Sequence, residues 1–225
     1  MLSSEALNIN AALKARLSEH LRGFDVQRRI DARLRRAAVA LTLVDEAGGA
    51  DLPGMPEHAV ASPRAALVLT RRATDLRDHP GQWALPGGSL DEGEEPADTA
   101  LREMHEEVGF LSDRSSVLGY LDDFVTRSGF VITPVVVWGG PNVILAPNPE
   151  EVASVHRIPI QEFLRDDAPL LEKIPESEQP VLRMPVGDSW IAAPTAAILY
   201  QFREVALLGR ETRVSHFEQP LFAWR

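Results

Sequence analysis

The 225-residue sequence contains no cysteine. That absence excludes disulfides, a thiol nucleophile and cysteine-ligated zinc or iron–sulfur centres, so any metal must be held by oxygen or histidine. No apolar stretch is long enough to span a bilayer, and the first residues lack the basic-then-apolar pattern of a secretory signal. We therefore expect no membrane partner and a cytoplasmic location. Aromatic residues make up only 6% of the chain, and none is interleaved with the basic run Arg28, Arg29, Arg33, Arg35 and Arg36. With a formal net charge of −10, this argues against a protein that coats nucleic acid. The basic run reads instead as a solvated segment or as one facing a second copy in a homodimer. There is no internal repeat, heptad array or low-complexity tract. Apolar residues at 44% suffice for a substantial core, and the length suits one medium domain with extra segments.

What is present is a concentration of acid on one helical turn. At roughly 100° per residue, Glu103, Glu106 and Glu107 share one arc, while Ala97, Ala100, Leu101, Met104 and Val108 form a separate stripe. Like charges at these spacings cost an isolated helix a few tenths of a kcal/mol each, so helix stability does not favour the cluster, whereas a bound divalent cation would reverse the sign. Carboxylate oxygens suit Mg²⁺ or Mn²⁺ and leave coordination places for water and substrate phosphates. Taken alone, E-x-x-E-E reads as a solvated acidic face, and the flanking residues change that reading.

Pro96 suits the first turn of this helix, and Gly109 suits the left-handed position that closes it. Ahead of it, Gly87 and Gly88 allow close backbone approach to a ligand, and Pro86 stiffens the approach. Glu94 and Arg102 read as an internal ion pair bracing the loop against the helix.

Gly88, five residues, Glu94, seven residues, then Arg102-Glu103-Met104-His105-Glu106-Glu107-Val108-Gly109-Phe110 resembles the Nudix box, G-x5-E-x7-R-E-U-x-E-E-x-G-U with U apolar. Every specified position is filled. The resemblance implies an α/β/α sandwich around a mixed β-sheet and hydrolysis of a nucleoside diphosphate linked to another moiety. It implies that Glu103, Glu106 and Glu107, with the carbonyl of Gly87, bind the divalent metals. Glu106 is one candidate general base. Glu151, in a Pro-x-E-V segment common in the family, is another, although from sequence alone it reads first as a loop or helix-cap carboxylate. Arg102 is grouped with this catalytic cluster as its support.

Immediately upstream, Leu69-Thr70-Arg71-Arg72-Ala73, Arg77, Gly81 and Leu85-Pro86-Gly87-Gly88 are similar to L-L-T-x-R-S/A-x3-R-x3-G-x3-F-P-G-G, the signature of the coenzyme A pyrophosphatase branch. Val68 and Leu85 depart from it and keep its apolar character. Arg72 and Arg77 fall on the fixed arginines, Arg71 on the variable position. The resemblance implies that Arg72 and Arg77, with the close approach at Gly88, contact the substrate's phosphates, a role that suits the arginine fork. Coenzyme A or a thioester of it is the expected small-molecule substrate. ADP-ribose, a dinucleotide or a modified nucleoside triphosphate is the alternative, and a ligand sensor without turnover is the remaining one.

Elsewhere, Leu13, Leu17 and Leu21 predict an added N-terminal helix over Asn10 to Arg22, stopped by Gly23. Ala37 to Val44 and Ala65 to Thr70 read as strands separated by a loop that includes Ala47-Gly48-Gly49. Val117 to Val125 and Phe130 to Trp138 read as a hairpin in which Pro134 marks an edge or a bulge. We expect a helical extension over 1–33, the catalytic domain over 34–210, and a tail over 211–225 packed on the domain or on a dimer partner. Trp190-Ile191-Ala192-Ala193-Pro194-Thr195-Ala196 lacks the glycine that the branch usually carries before its last helix, which leaves the acyl preference open. The histidines at 58, 79, 105, 156 and 216 have no metal-ligand spacing and read as surface or packing residues.

Overall fold

Alternation along the two longest strands decides which helix covers which face of the sheet. The computed structural model describes residues 4–74 and 81–220. After α1 (Ala11–Gly23), β1 (Arg35–Gly49) and β2 (Glu57–Arg72) form a long antiparallel hairpin, followed by β3 (Trp83–Ala84), β4 (Gly87–Ser89) and α2 (Pro96–Val108). The chain continues through β5 (Val117–Tyr120), β6 (Phe124–Val125), β7 (Phe130–Gly140) and β8 (Val152–Pro159). It ends with β9 (Leu170–Glu172), β10 (Val181–Val186), β11 (Ser189–Ala192) and α3 (Thr195–Phe202). Ala38, Ala40, Ala66, Val68, Val135 and Val137 pack on the apolar stripe of α2. Their neighbours Leu41, Leu43, Leu67, Leu69 and Val136 face the other way, onto Leu13, Leu17 and Leu21 of α1 and Ile198, Leu199 and Phe202 of α3. The result is the expected α/β/α sandwich around a mixed sheet, in which β1 runs parallel to β7 and antiparallel to β2 and β4.

Burying Leu101, Met104 and Val108 is worth about 1.5–3 kcal/mol each, several times the repulsion among the helix's carboxylates. Packing therefore lets α2 carry an acidic face. At its ends, Glu95 N–H donates to Asp98 and Gly109 takes φ 70°, as the sequence predicts.

Near their open end β1 and β2 separate, and residues 83–89 fill the fork: β3 pairs with Thr70 and Arg71, and β4 pairs with Ala37 to Val39. This wedge sets the proline-glycine-glycine corner against α2.

Three local expectations need correction. The β1–β2 hairpin runs on to a Gly49–Glu57 pairing, because register shifts around Ala47 absorb the positive φ of Ala47 and Gly49 within a ladder instead of a loop. Pro134 lies in the central strand β7, paired in regular register with Val39. Its carbonyl accepts from Leu121 in the gap between β5 and β6, so the missing N–H falls at a break where no ladder partner is needed. Gly23 is the last residue of α1 without a left-handed turn, and the extended Phe24 ends the helix. The basic run is solvent-exposed, in keeping with its reading as a solvated segment, with Arg28 paired to Asp123 at 2.9 Å, Arg33 to Asp31 at 2.8 Å and Arg35 stacked on Phe130.

That gap between β5 and β6 is held by buried acids. Asp122 accepts from Gln27 N–H (2.8 Å), from Gln201 Nε2 of α3 (2.8 Å) and from Arg213 Nη1 (2.9 Å). In the tail, Val214 is buried and Glu218 bridges to Val181, while Phe222 and Trp224 lie outside the described residues.

Candidate active site

Arg102 organises the acidic face of α2. Its Nε is 2.9 Å from Glu94 Oε1, and its Nη1 is 2.9 Å from both Glu103 Oε1 and Glu106 Oε2. Nη2 reaches the carbonyl of Ser89 at 3.2 Å, tying helix to wedge. Glu94 also accepts from Thr99 Oγ1 at 2.7 Å and from Asp91 N–H at 3.0 Å. The Arg102 guanidinium, with help from these donors, holds the Glu94 carboxyl down to about 2.

The three helix glutamates sit in unlike surroundings. Glu106 is the most exposed. Glu103 is half-buried, and burial raises its pKa against the pull of Arg102. A Cβ added to Gly88 would lie 2.1 Å from Glu103 Oε1, so this carboxylate rests directly on the glycine backbone. Glu107 is buried. Desolvation first, then repulsion from Glu103, pushes it up to about 8, while Arg72 and the N–H of Gly87 act in the opposite sense. Glu151 adds repulsion on both Glu103 and Glu107, which brings that loop carboxylate into the same field. Its carbonyl accepts from Ala73 N–H at 2.9 Å, fixing it beside the end of β2.

Among the described residues no three histidine, aspartate or glutamate side chains form a ready-made metal cage, because Arg102 engages Glu103 and Glu106 while Glu107 turns toward Gly87. The donor chemistry nevertheless fits a hard cation, since these groups offer oxygen alone and two of them resist ionisation without a counter-charge.

A cleft of about 480 Å³ opens beside this cluster. Arg71, Arg72, Gln82, Trp83, Trp190 and Ala192 to Thr195 line it, with Thr126, Ser128 and Gln219 completing it. Arg72 therefore belongs both to the cleft and to the surroundings of Glu107. Arg77 lies outside the described residues. The sequence reading missed Trp83, Gln82, Thr126, Ser128 and Gln219. Trp83 could have been noticed as the one aromatic residue between Gly81 and Leu85, but the others are brought in only by pairing between distant segments.

The NUDIX domain model matches residues 58–182, a span that takes in most of β2, the wedge, α2 and the strands β5 to β8. The chain belongs to the NUDIX domain family. Its Nudix relatives include the protein called Uncharacterized Nudix hydrolase NudL from Yersinia enterocolitica, 43% identical over 107 residues, 47% of this chain and 55% of that protein. The protein of the same name from Photorhabdus laumondii is 40% identical over 110 residues, 47% of this chain and 57% of the relative. The chain spans about half the length of the curated relatives it matches. Among solved structures, a MutT/nudix family protein from Enterococcus faecalis superposes with a TM-score of 0.46 at 16% identity, over 73% of this Nudix chain and 52% of that one.

Proposed function

We propose that this Nudix chain is a metal-dependent pyrophosphohydrolase acting on coenzyme A or its thioesters. The products are 4′-phosphopantetheine, or its acyl form, and adenosine 3′,5′-bisphosphate. The observation that carries the reading is the position of Arg72, which lines the cleft and lies within the electrostatic reach of Glu107. One residue thereby links the arginine motif to the glutamate motif.

Glu103, Glu106 and Glu107, with the carbonyl of Gly87, would hold Mg²⁺ or Mn²⁺, which would supply charge neutralisation for the diphosphate and acidify water. Arg72 matches the charge of the non-bridging oxygens and orients the diphosphate at the cleft, and Arg77, on the motif's second fixed arginine, is assigned a phosphate contact by the resemblance. Water oxygen bonds to phosphorus, the bridging P–O bond breaks toward the leaving phosphate, and a carboxylate takes the water's proton. Glu151 and Glu106 are the two candidates for that proton transfer. Arg102 acts as a positioning residue, keeping Glu103 and Glu106 on the side of the wedge.

The test is a hydrolysis assay with Mg²⁺ and with Mn²⁺ over coenzyme A, an acyl thioester, 3′-dephospho-coenzyme A and ADP-ribose, with products identified by mass. Coenzyme A or its thioester should be turned over fastest, with the 3′-dephospho form slower. Preferred cleavage of ADP-ribose would replace this substrate assignment with another Nudix pyrophosphatase activity. No turnover of any diphosphate would overturn the enzyme reading itself.

A further inference from the structure

Arg71 and Arg72 are neighbours in β2 and both line the cleft, but their guanidinium groups meet different surroundings. Arg72 lies within the electrostatic reach of Glu107. The guanidinium of Arg71 lies 4.0 Å from the centre of the Trp83 ring. It donates to the carbonyl of Gly81 at 3.1 Å, and among the described residues no carboxylate pairs with it. Burial lowers its pKa. Most arginines of this chain are spent in ion pairs, whereas this one is a partly desolvated cation in a cleft wall, an arrangement that a bound anion would relieve.

Trp190 lines the same cleft and is 40% exposed, although it is a large apolar side chain. One face of its indole carries the Arg183 guanidinium at 3.8 Å from the ring centre, and pairing of β11 with β10 fixes its backbone. The side chain thus presents a stiff, flat, electron-rich surface to a cleft of about 480 Å³, a size within the range of about 300–1,000 Å³ typical of small-molecule sites. A planar heteroaromatic ring gains more from such a surface than a flexible amide chain does.

We propose that this cleft binds the nucleotide half of the substrate, with the nucleobase stacked on Trp190 and the phosphomonoester remote from the scissile bridge paired with Arg71. The identity of that nucleotide, adenosine 3′,5′-bisphosphate, rests on the pyrophosphatase reading above; the subsite itself rests on Arg71, Trp83, Trp190 and Arg183. Arg71, at the motif's variable position, becomes a specificity-determining residue. The freed bisphosphate becomes a competitive inhibitor.

Calorimetric titration of the full chain in EDTA, where no turnover occurs, tests this with adenosine 3′,5′-bisphosphate and adenosine 5′-monophosphate as probes. The unsubstituted chain should bind the bisphosphate more tightly. Trp190→Ala should weaken both nucleotides about tenfold or more, and Trp190→Phe should restore most of the loss. Arg71→Ala should remove the preference for the bisphosphate, and Arg71→Lys should keep part of it. Binding that is indifferent to both alanine substitutions, or no binding of either nucleotide at millimolar concentration, overturns the proposal. A parallel assay separates the two readings. Cleavage of coenzyme A with nucleotide binding indifferent to the substitutions removes the subsite and spares the pyrophosphatase; binding as expected with coenzyme A left intact does the reverse.

Discussion

The guanidinium of Arg102 grips Glu94, eight positions earlier in the chain, through Nε to Oε1 at 2.9 Å and Nη2 to Oε2 at 3.1 Å. The pair closes the loop that leads into α2 and leaves Nη1 for Glu103 and Glu106. Its consequence is a pH-dependent contribution to stability. Because the folded-state pKa of Glu94 is depressed from 4.5 to about 2, the contribution is complete above the unfolded value and disappears as pH falls through about 2. Glu94→Gln should lower stability near neutral pH by about 1 kcal/mol and flatten the decline between pH 4.5 and 2. Urea unfolding at a series of pH values checks both; parallel pH profiles for the two chains would contradict the pairing.

The two glycines of the wedge should fail in different ways. A Cβ on Gly87 would meet the Ala38 carbonyl oxygen at 2.3 Å and Val39 Cα at 2.7 Å, both fixed backbone atoms of β1. Gly87→Ala should therefore cost about 2–3 kcal/mol of stability. A Cβ on Gly88 meets only the end of the Glu103 side chain. Gly88→Ala should melt within a few degrees of the parent and lose about 100-fold in kcat/KM as that carboxylate is displaced. Thermal melts with matched turnover assays distinguish the two outcomes.

The gap between β5 and β6 offers a stability test far from the chemistry. Asp122→Ala strands the donors of Gln27, Gln201 and Arg213 in a buried site and should destabilise the chain by about 3 kcal/mol. Equilibrium unfolding that shifts by less than about 1 kcal/mol would mean that water or another acceptor takes over those donors.

Glu106→Gln and Glu107→Gln preserve side-chain shape while removing a charge. Each should lower kcat by about 10²–10³-fold or more with the circular dichroism spectrum unchanged. Near-parental turnover in both would remove α2 from the active site.

Most of the acidic half of the site could be read from the sequence because it is local. Glu94, Arg102, Glu103, Glu106 and Glu107 lie within four turns of chain, and helical periodicity with Pro96 and Gly109 at the ends fixes their mutual placement. The architecture was readable only through the Nudix resemblance, while alternation in β1, β2 and β7 accounts for which face each residue takes. Contacts between distant segments were not readable. That 83–89 forms two short strands in a fork depends on how far β1 and β2 splay, and no residue within that segment encodes the splay. Pro134 looked like an edge signal because its missing donor is visible in the sequence, while the break opposite it in the neighbouring strand is not. The cleft has the same character, since Trp83 and Trp190 line it from distant parts of the chain.

The fork between β1 and β2 has an implication for how such a chain can vary. Since the floor beneath the carboxylates is laced into two strands of the main sheet, the spacing between acid cluster and arginines is a property of the scaffold, indifferent to the lengths of surface connections. Insertions in the turn at 50–56 or in the stretch between β8 and β10 could reshape the surroundings of the cleft while the arrangement of the acid cluster and Arg72 stays unchanged.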